Sequence, residues 1–140
     1  MERPRPQDVI MPHRGRVRTV LLLDDSPTVR SLIKVFLMGR SLEFIETTDG
    51  HRALHLARLT RIDLAIVDVN MPRMDGLTFV RLLRNDEREL KRRVPVMLLT
   101  GERDPELRRQ GLLAGADTFL QKPVSSAGLA AAFDQLLPSP

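Results

Sequence analysis

Short apolar runs alternate along this chain with longer stretches in which apolar residues recur every three or four positions. Five of the runs, at residues 19–23, 42–47, 62–69, 94–99 and 116–121, are rich in apolar residues. A run that is apolar at nearly every position is typical of a strand buried on both faces of a parallel sheet. The pattern predicts five strands, with residues 62–69 as the strongest interior strand and residues 42–47 nearer the sheet edge.

Helices are predicted after each of these strands. Four of them begin at short polar side chains of the kind that accept a hydrogen bond from the first helical turn, namely Ser26, Asp49, Asp104 and either Ser125 or Ser126. Proline follows two of these residues, at the helical position that favours it. The third helix is predicted over residues 77–90, and Gly39 is predicted to end the first helix as a left-handed cap.

The alternation of strands and helices predicts the fold class. A (βα)₅ order is typical of a doubly wound α/β domain, in which helices cover both faces of a parallel five-stranded sheet. Residues 19–137 hold the whole pattern, and no repeat or second domain is visible. We expect residues 1–18 to form a basic, flexible arm and residues 138–140 to form a short tail.

Composition narrows the class of protein further. The chain contains no cysteine, which excludes disulfides, thiolate metal sites and a thiol nucleophile. No apolar run approaches the roughly 18 residues that span a bilayer, and the N-terminus lacks the apolar core of a secretory signal. We therefore expect a cytoplasmic protein that does not enter a membrane.

Positive charge is concentrated in the arm. Five arginines stand there against Glu2 and Asp8, so residues 1–18 carry +3 of the formal net charge of +4. A basic, proline-rich arm is suited to contact nucleic acid or an acidic partner. The alternatives are an extension without a binding role, or a start at Met11, and no neighbouring motif gives His13 a phosphotransfer role.

Polar residues stand where four of the predicted strands end. Asp24 and Asp25 follow the first strand, Asp68 ends the third, Thr100 the fourth, and Lys122 follows the fifth. The carboxyl ends of parallel strands meet at one edge of the sheet, where ligands bind in open α/β folds. We expect three carboxylates, one hydroxyl and one ammonium group to converge there.

Three carboxylates held close together favour a bound cation, because like charges cannot all stay ionised unaided. Mg²⁺ prefers oxygen ligands, and the loop after Asp68 has turn residues that would bring the Asn70 carbonyl back to the metal. Asp68 would then be a nucleophile for phosphoryl transfer. Lys122 and the Thr100 hydroxyl would balance the charge of the transferred group. Each residue alone is compatible with a cap, a turn or a solvated charge, whereas the five together favour a site.

His51 and His55 are a second candidate for chemistry. They stand four residues apart on the second predicted helix, a spacing that can bind a metal ion. No third ligand accompanies them in the sequence, so a solvated helix face is the favoured interpretation.

Four segments carry a resemblance to a known family: LLLDDSPTVR, IVDVNMPRMDG, MLLTG and GADTFLQKP. In these segments, and over residues 19–137 as a whole, the chain resembles the receiver domains of bacterial response regulators, which act in two-component signal transduction and in phosphorelays. The resemblance implies a flavodoxin-like sheet with the strand order 2-1-3-4-5. It also implies Mg²⁺-dependent phosphorylation of an aspartate.

The resemblance assigns expected roles to the acidic residues. Asp68 looks like the phosphoacceptor, which becomes an aspartyl phosphate. Asp25 looks like a direct metal ligand, Asp24 like a ligand that acts through water, and Asn70 like the donor of a metal-binding carbonyl.

It implies further roles on the fourth and fifth strands. Thr100 looks like the switch hydroxyl and Lys122 like the phosphoryl-binding lysine. Phe119 looks like the switch aromatic, with plain core packing as the alternative. Asn70 and Glu102, which lie two residues beyond Asp68 and Thr100, look like positions that tune how fast the acyl phosphate is lost to water.

As a receiver, the chain is expected to take a phosphoryl group from a sensor histidine kinase or a phosphotransfer protein, and not to be an enzyme beyond reactions of its own phosphoryl group. A downstream partner protein would contact the fourth helix, fifth strand and fifth helix, a surface made basic by Arg103, Arg108 and Arg109. The apolar last helix has three possible uses: docking, homodimer formation or core burial.

Only three residues follow Leu137, whereas a helix-turn-helix output domain needs many tens more. Sequence-specific DNA binding is therefore not expected of this chain. Two alternatives stay open: an interaction module that works without phosphorylation, and a receiver fragment of a larger regulator.

Overall fold

A computed structural model of the protein describes residues 16–88 and 93–138. Most of the predicted arm, with Met11 and His13, lies outside the described residues. So do residues 89–92 and the last two residues of the tail.

Five parallel strands form one sheet in the order β2-β1-β3-β4-β5. Their bounds are β1 Arg18–Leu23, β2 Leu42–Thr47, β3 Leu64–Asp68, β4 Val96–Thr100 and β5 Thr118–Gln121. The predicted fold class and strand order are confirmed. Pro95 lies just before β4, and its carbonyl accepts a hydrogen bond from the Ala65 N–H at 2.9 Å. Proline has no backbone N–H, but at this position outside the strand no hydrogen bond of the sheet is lost.

Five helices connect and follow the strands. Their bounds are α1 Pro27–Phe36, α2 Gly50–Leu59, α3 Gly76–Arg84, α4 Pro105–Ala114 and α5 Ser126–Leu136. A side-chain oxygen before each helix accepts a hydrogen bond from its first turn, and the capping residues are Ser26, Asp49, Asp75, Asp104 and Ser125. Ser125, and not Ser126, is thus the cap of the last helix. None of the helices in the described residues is long and apolar enough to cross a membrane.

The third helix is shorter than the sequence pattern predicted. It ends at Arg84, where the Asn85 N–H closes the last turn on the Arg81 carbonyl at 3.2 Å. The Asp86 side chain then accepts a hydrogen bond from the Arg88 N–H at 2.8 Å. Aspartate disfavours helix continuation in this way because its side chain offers the backbone an alternative hydrogen bond.

Gly39 adopts the left-handed conformation that was predicted, with a φ of 94°. It does not cap the first helix directly, however. That helix ends at Phe36 with Leu37 as its cap, and Gly39 lies in the turn beyond.

The core has two halves, one on each face of the sheet. Alternate residues of β1 divide between them: Leu21 and Leu23 belong to the half under α2, α3 and α4, whereas Val20 and Leu22 belong to the half under α1 and α5. All four side chains are fully buried. Burial on both faces is why this strand reads as a continuous apolar run.

The apolar side chains of α5 are largely used in the core. Leu129, Ala132 and Phe133 are buried, and Leu136 packs against the same cluster. Burial therefore accounts for most of the apolar character of the last helix.

Candidate functional site

The strand register brings the predicted site residues to one edge of the sheet. Leu23 of β1 pairs with Val67 of β3, so Asp24 and Asp68 continue their strands side by side. Asp68 pairs with Leu99, and Thr100 pairs with Gln121, the residue before Lys122. Parallel strands of matched length thus place all five polar residues at their common carboxyl edge.

Asp24, Asp25 and Asp68 form a compact group of carboxylates at this edge. Each offers an oxygen that lies within 4.8 Å of the others. Asp24 and Asp68 are 1% and 4% exposed, whereas Asp25 is exposed to solvent. The Lys122 ammonium lies 3.1 Å from Asp24 Oδ2 and 3.4 Å from Asp68 Oδ2, so it faces both buried carboxylates.

The two oxygens of Asp24 have different surroundings. Oδ1 accepts a hydrogen bond from the Ser26 N–H at 2.8 Å. Oδ2 is buried and accepts no hydrogen bond from the described residues, because Lys122 approaches it at ion-pair distance but without the direction that a hydrogen bond requires. A buried anionic oxygen without a hydrogen bond is uncommon and indicates a place for a cation or water.

Burial raises the pKa of the Asp68 carboxyl above its ordinary value of 3.8, and the nearby Asp24 charge raises it further. Two contacts work in the opposite direction, namely the Lys122 ammonium and the Asn70 N–H, which donates to Asp68 Oδ1 at 3.1 Å. The net direction is upward, so burial and the Asp24 charge outweigh these two contacts in setting the pKa of Asp68.

The loop between β3 and α3 curls tightly around the end of β3. The Gly76 N–H donates to the Val69 carbonyl at 2.9 Å. A Cβ atom at Gly76 would lie 2.5 Å from the Asp68 carbonyl oxygen, so a glycine is required there by close approach. Asn70 is exposed at the start of the loop. The metal-binding role of its carbonyl stays a prediction.

Thr100 and Phe119 are both buried beside this edge. The Thr100 hydroxyl oxygen accepts a hydrogen bond from the Glu102 N–H at 3.1 Å, and the Thr100 carbonyl accepts one from the Lys122 N–H at 2.7 Å. Phe119 is 8% exposed and points into the core, where its ring lies under Gly111 of α4. Core packing is thus what Phe119 does in this conformation, and its switch role stays a prediction.

The donor set at this edge fits a magnesium ion. All the candidate ligands are hard oxygens, and the buried Asp24 Oδ2 among them accepts no hydrogen bond from the described residues. His51 and His55 are exposed on α2, and no group of three potential metal ligands among the described residues includes them. The solvated helix face predicted for the histidines agrees with this arrangement.

Sequence reasoning missed one residue at this edge, Arg30 of α1. Its guanidinium donates hydrogen bonds to the main-chain carbonyl of Asp24 and to the Glu46 side chain of β2. Arg30 stands within the LLLDDSPTVR segment, but nothing in the spacing of that segment indicates where a long, flexible side chain will turn.

A parallel 2-1-3-4-5 sheet with carboxylates, a lysine and a hydroxyl at its carboxyl edge defines the class of receiver domains. The family model for the response regulator receiver domain matches residues 20–134. The chain belongs to this family, as its sequence motifs implied.

Individual relatives agree with this assignment. The chain is 36% identical to the response regulator GtcR of Aneurinibacillus migulanus over 106 residues, which are 76% of this chain and 42% of that protein. It therefore spans less than half the length of this curated relative.

Solved structures are similar to the whole described domain. The chemotaxis response regulator CheY4 of Vibrio cholerae has a TM-score of 0.78 at 33% identity, covering 87% of this chain and all of that one. The receiver domain of the sensor histidine kinase PA1611 of Pseudomonas aeruginosa has a TM-score of 0.76 at 28% identity, covering 86% and 98%. That structure has a magnesium ion coordinated in its active site cleft.

Proposed function

We propose that this receiver domain stores a signal as a phosphoryl group on Asp68, with Mg²⁺ as cofactor and a partner protein as the downstream target. One observation carries the proposal: the carboxylate at the end of the central strand lies beside a second buried carboxylate, and the Lys122 ammonium pairs with both of them. Proposed donors are a sensor histidine kinase or a phosphotransfer protein, the general partners of receiver domains.

In the proposed reaction an ionised Asp68 oxygen attacks the phosphorus of a phosphohistidine. An O–P bond forms as the N–P bond breaks, and the imidazole nitrogen leaves with the bonding electrons and takes up a proton. Lys122, already 3.4 Å from Asp68 Oδ2, is placed to stabilise the negative charge on the transferred group.

Asp24, Asp25, Asp68 and the Asn70 carbonyl are the proposed ligands of Mg²⁺. When bound, the ion would supply positive charge to the phosphoryl oxygens. The chain's own contribution is to hold three carboxylates within 4.8 Å of one another, although burial and repulsion oppose this.

We propose that the domain is not a turnover enzyme, since the only group it hydrolyses is its own aspartyl phosphate. Asn70 and Glu102 are both exposed next to the site, where they can position or exclude the attacking water. These two side chains are the proposed determinants of the phosphoryl lifetime.

The proposed output surface consists of α4, β5 and α5. If the Thr100 hydroxyl turned toward the phosphoryl group, it would lose its bond from the Glu102 N–H. Phe119 already borders a groove whose charged lining residues are Glu102, Arg103, Asp104 and Arg108. A partner protein that offers groups of both charges would fit this groove, and a homodimer through the same surface is the alternative use.

Phosphorylation can be tested by incubating the protein with acetyl phosphate and Mg²⁺ and measuring its intact mass. We expect one phosphoryl adduct in the wild type and in Asp134→Asn, and none in Asp68→Asn. Asp134 is a suitable control because it is an exposed aspartate of α5, away from the site. Absence of an adduct in the wild type with every phosphodonor would instead support an interaction module that works without phosphorylation.

A further inference from the structure

We propose that Arg30 is a positioning residue, which fixes the peptide unit between Asp24 and Asp25 and so aims both carboxylates at the proposed metal site. This inference rests on the function proposed above. It concerns a side chain that belongs to none of the predicted ligands or switch residues.

Arg30 bridges two elements from the first turns of α1. Its Nη1 atom donates to the Asp24 main-chain carbonyl, and its Nε atom donates to Glu46 Oε1 of β2 at 3.0 Å. The side chain is 17% exposed, so the contact with the carbonyl is partly shielded from competing water.

The Asp24 carbonyl is the last free polar group of that residue's backbone. Its N–H already donates to the Thr47 carbonyl of β2 at 3.3 Å, and its carboxylate is tied to the Ser26 N–H. Arg30 therefore completes the set of bonds that holds Asp24 in one conformation.

The same contact controls the direction of Asp25. A peptide unit is planar, so the carbonyl of Asp24 and the nitrogen of Asp25 move as one rigid group. Within the described part of the chain the exposed Asp25 carboxylate has no hydrogen bond or ion pair of its own. The direction in which the Asp25 side chain leaves the main chain is set by this backbone, which Arg30 holds.

Glu46 supports Arg30 in two ways. It orients the guanidinium through the bond to Nε, and it offsets a positive charge that would otherwise oppose a divalent cation nearby. Lys34 also pairs with Glu46, at 2.8 Å, but makes no contact with Asp24. Lys34 thus provides a matched control that shares the charge and the partner of Arg30 without the carbonyl contact.

Positioning and simple electrostatics predict opposite effects of Arg30→Met on Mg²⁺ binding. Loss of a positive charge alone would tighten binding, whereas loss of the positioning contact weakens it, by about tenfold on the scale known for groups that orient metal ligands. Binding is measured by isothermal titration calorimetry, because the chain has no tryptophan or tyrosine for fluorescence. Lys34→Met should stay within about twofold of the wild type, as expected for an exposed ion pair.

A second measurement does not depend on metal. In the Mg²⁺-free protein, ¹⁵N relaxation of the Asp25 amide should show larger motion in Arg30→Met than in the wild type or in Lys34→Met, while the amides of Leu21 and Leu22 are unchanged. Arg30→Lys retains the charge but not the forked donor geometry. It should therefore also weaken Mg²⁺ binding. Arg30→Lys replaces Arg30→Met in both measurements if Arg30→Met does not fold.

Three results would overturn the proposal. They are unchanged or tighter Mg²⁺ binding in Arg30→Met, unchanged Mg²⁺ binding in Arg30→Lys, and unchanged motion of the Asp25 amide in Arg30→Met. A wild type that binds no Mg²⁺ and forms no phosphoryl adduct would contradict the proposed function instead. The relaxation measurement separates these failures, because it reports on the peptide whether or not the site binds metal.

Discussion

Asp24 and Asp68 show how the environment of a single residue decides its chemistry. Both are buried aspartates that face the same ammonium group of Lys122. Burial and the negative charge of Asp24 nevertheless raise the pKa of the Asp68 carboxyl by more than the positive charge of Lys122 lowers it. Without a metal ion, the ionised form of Asp68 therefore destabilises the fold that holds it.

Asp68→Asn should accordingly stabilise the Mg²⁺-free protein near neutral pH, by about 1 kcal/mol, an ordinary size for a single substitution. Because the pKa of Asp68 is raised in the folded state, the folded protein binds this proton more tightly than the unfolded chain. The stability of the wild type relative to Asp68→Asn should thus fall as the pH rises from 3.8 through the raised pKa. Urea unfolding at several pH values measures the difference, and a pH-independent difference would refute the argument.

At the scale of elements, the sequence pattern located the strands and helices of the described residues, but it did not set all of their boundaries. The third helix was predicted to run to residue 90, but residues 84–89 contain no apolar side chain. The helix ends at Arg84, and the Asp86 side chain accepts a hydrogen bond from the Arg88 N–H just beyond it. Arg84 then reaches across to the carbonyls of Val94 and Gly115 and to Asp117, joining α3 to the starts of two other elements. Such long-range contacts of a flexible side chain leave no periodic signal.

The loop between β3 and α3 gives a test at this scale. Gly76→Ala would place a Cβ atom against the Asp68 carbonyl, so we expect a loss of about 1–3 kcal/mol, typical of overpacking. Gly101→Ala is the matched control, because a Cβ atom at Gly101 meets nothing within 4 Å. That variant should be neutral or slightly more stable. Equal effects of the two substitutions in thermal unfolding would show that close approach does not constrain Gly76.

At the scale of the whole molecule, the two halves of the core and the site share the same strands. The halves cover opposite faces of the sheet, and the carboxylates at its edge lie at the ends of two strands with buried apolar residues. Any group that relieves the repulsion at this edge should therefore stabilise the entire domain.

We expect Mg²⁺ to raise the unfolding free energy of the domain. A free Mg²⁺ concentration of about 100 times the dissociation constant raises the unfolding free energy by about 2.7 kcal/mol, if the unfolded chain does not bind the ion. Asp25→Asn should lose most of this increment, whereas Asp134→Asn should keep it. Differential scanning calorimetry with and without Mg²⁺ gives the comparison, and an equal increment in both variants would indicate binding elsewhere.

The fold class, the strand order implied by the family motifs, and the residues that meet at the carboxyl edge could all be predicted from the sequence. These follow from local signals, namely apolar periodicity, capping residues and polar residues at strand ends, and the parallel topology then brings them together. Four features needed the folded structure: the Asp24 oxygen without a hydrogen bond, the raised pKa of Asp68, the close approach that requires Gly76, and the contact of Arg30 with the Asp24 carbonyl. Each of these depends on distances between segments far apart in the chain, which are set by packing and not by any residue alone.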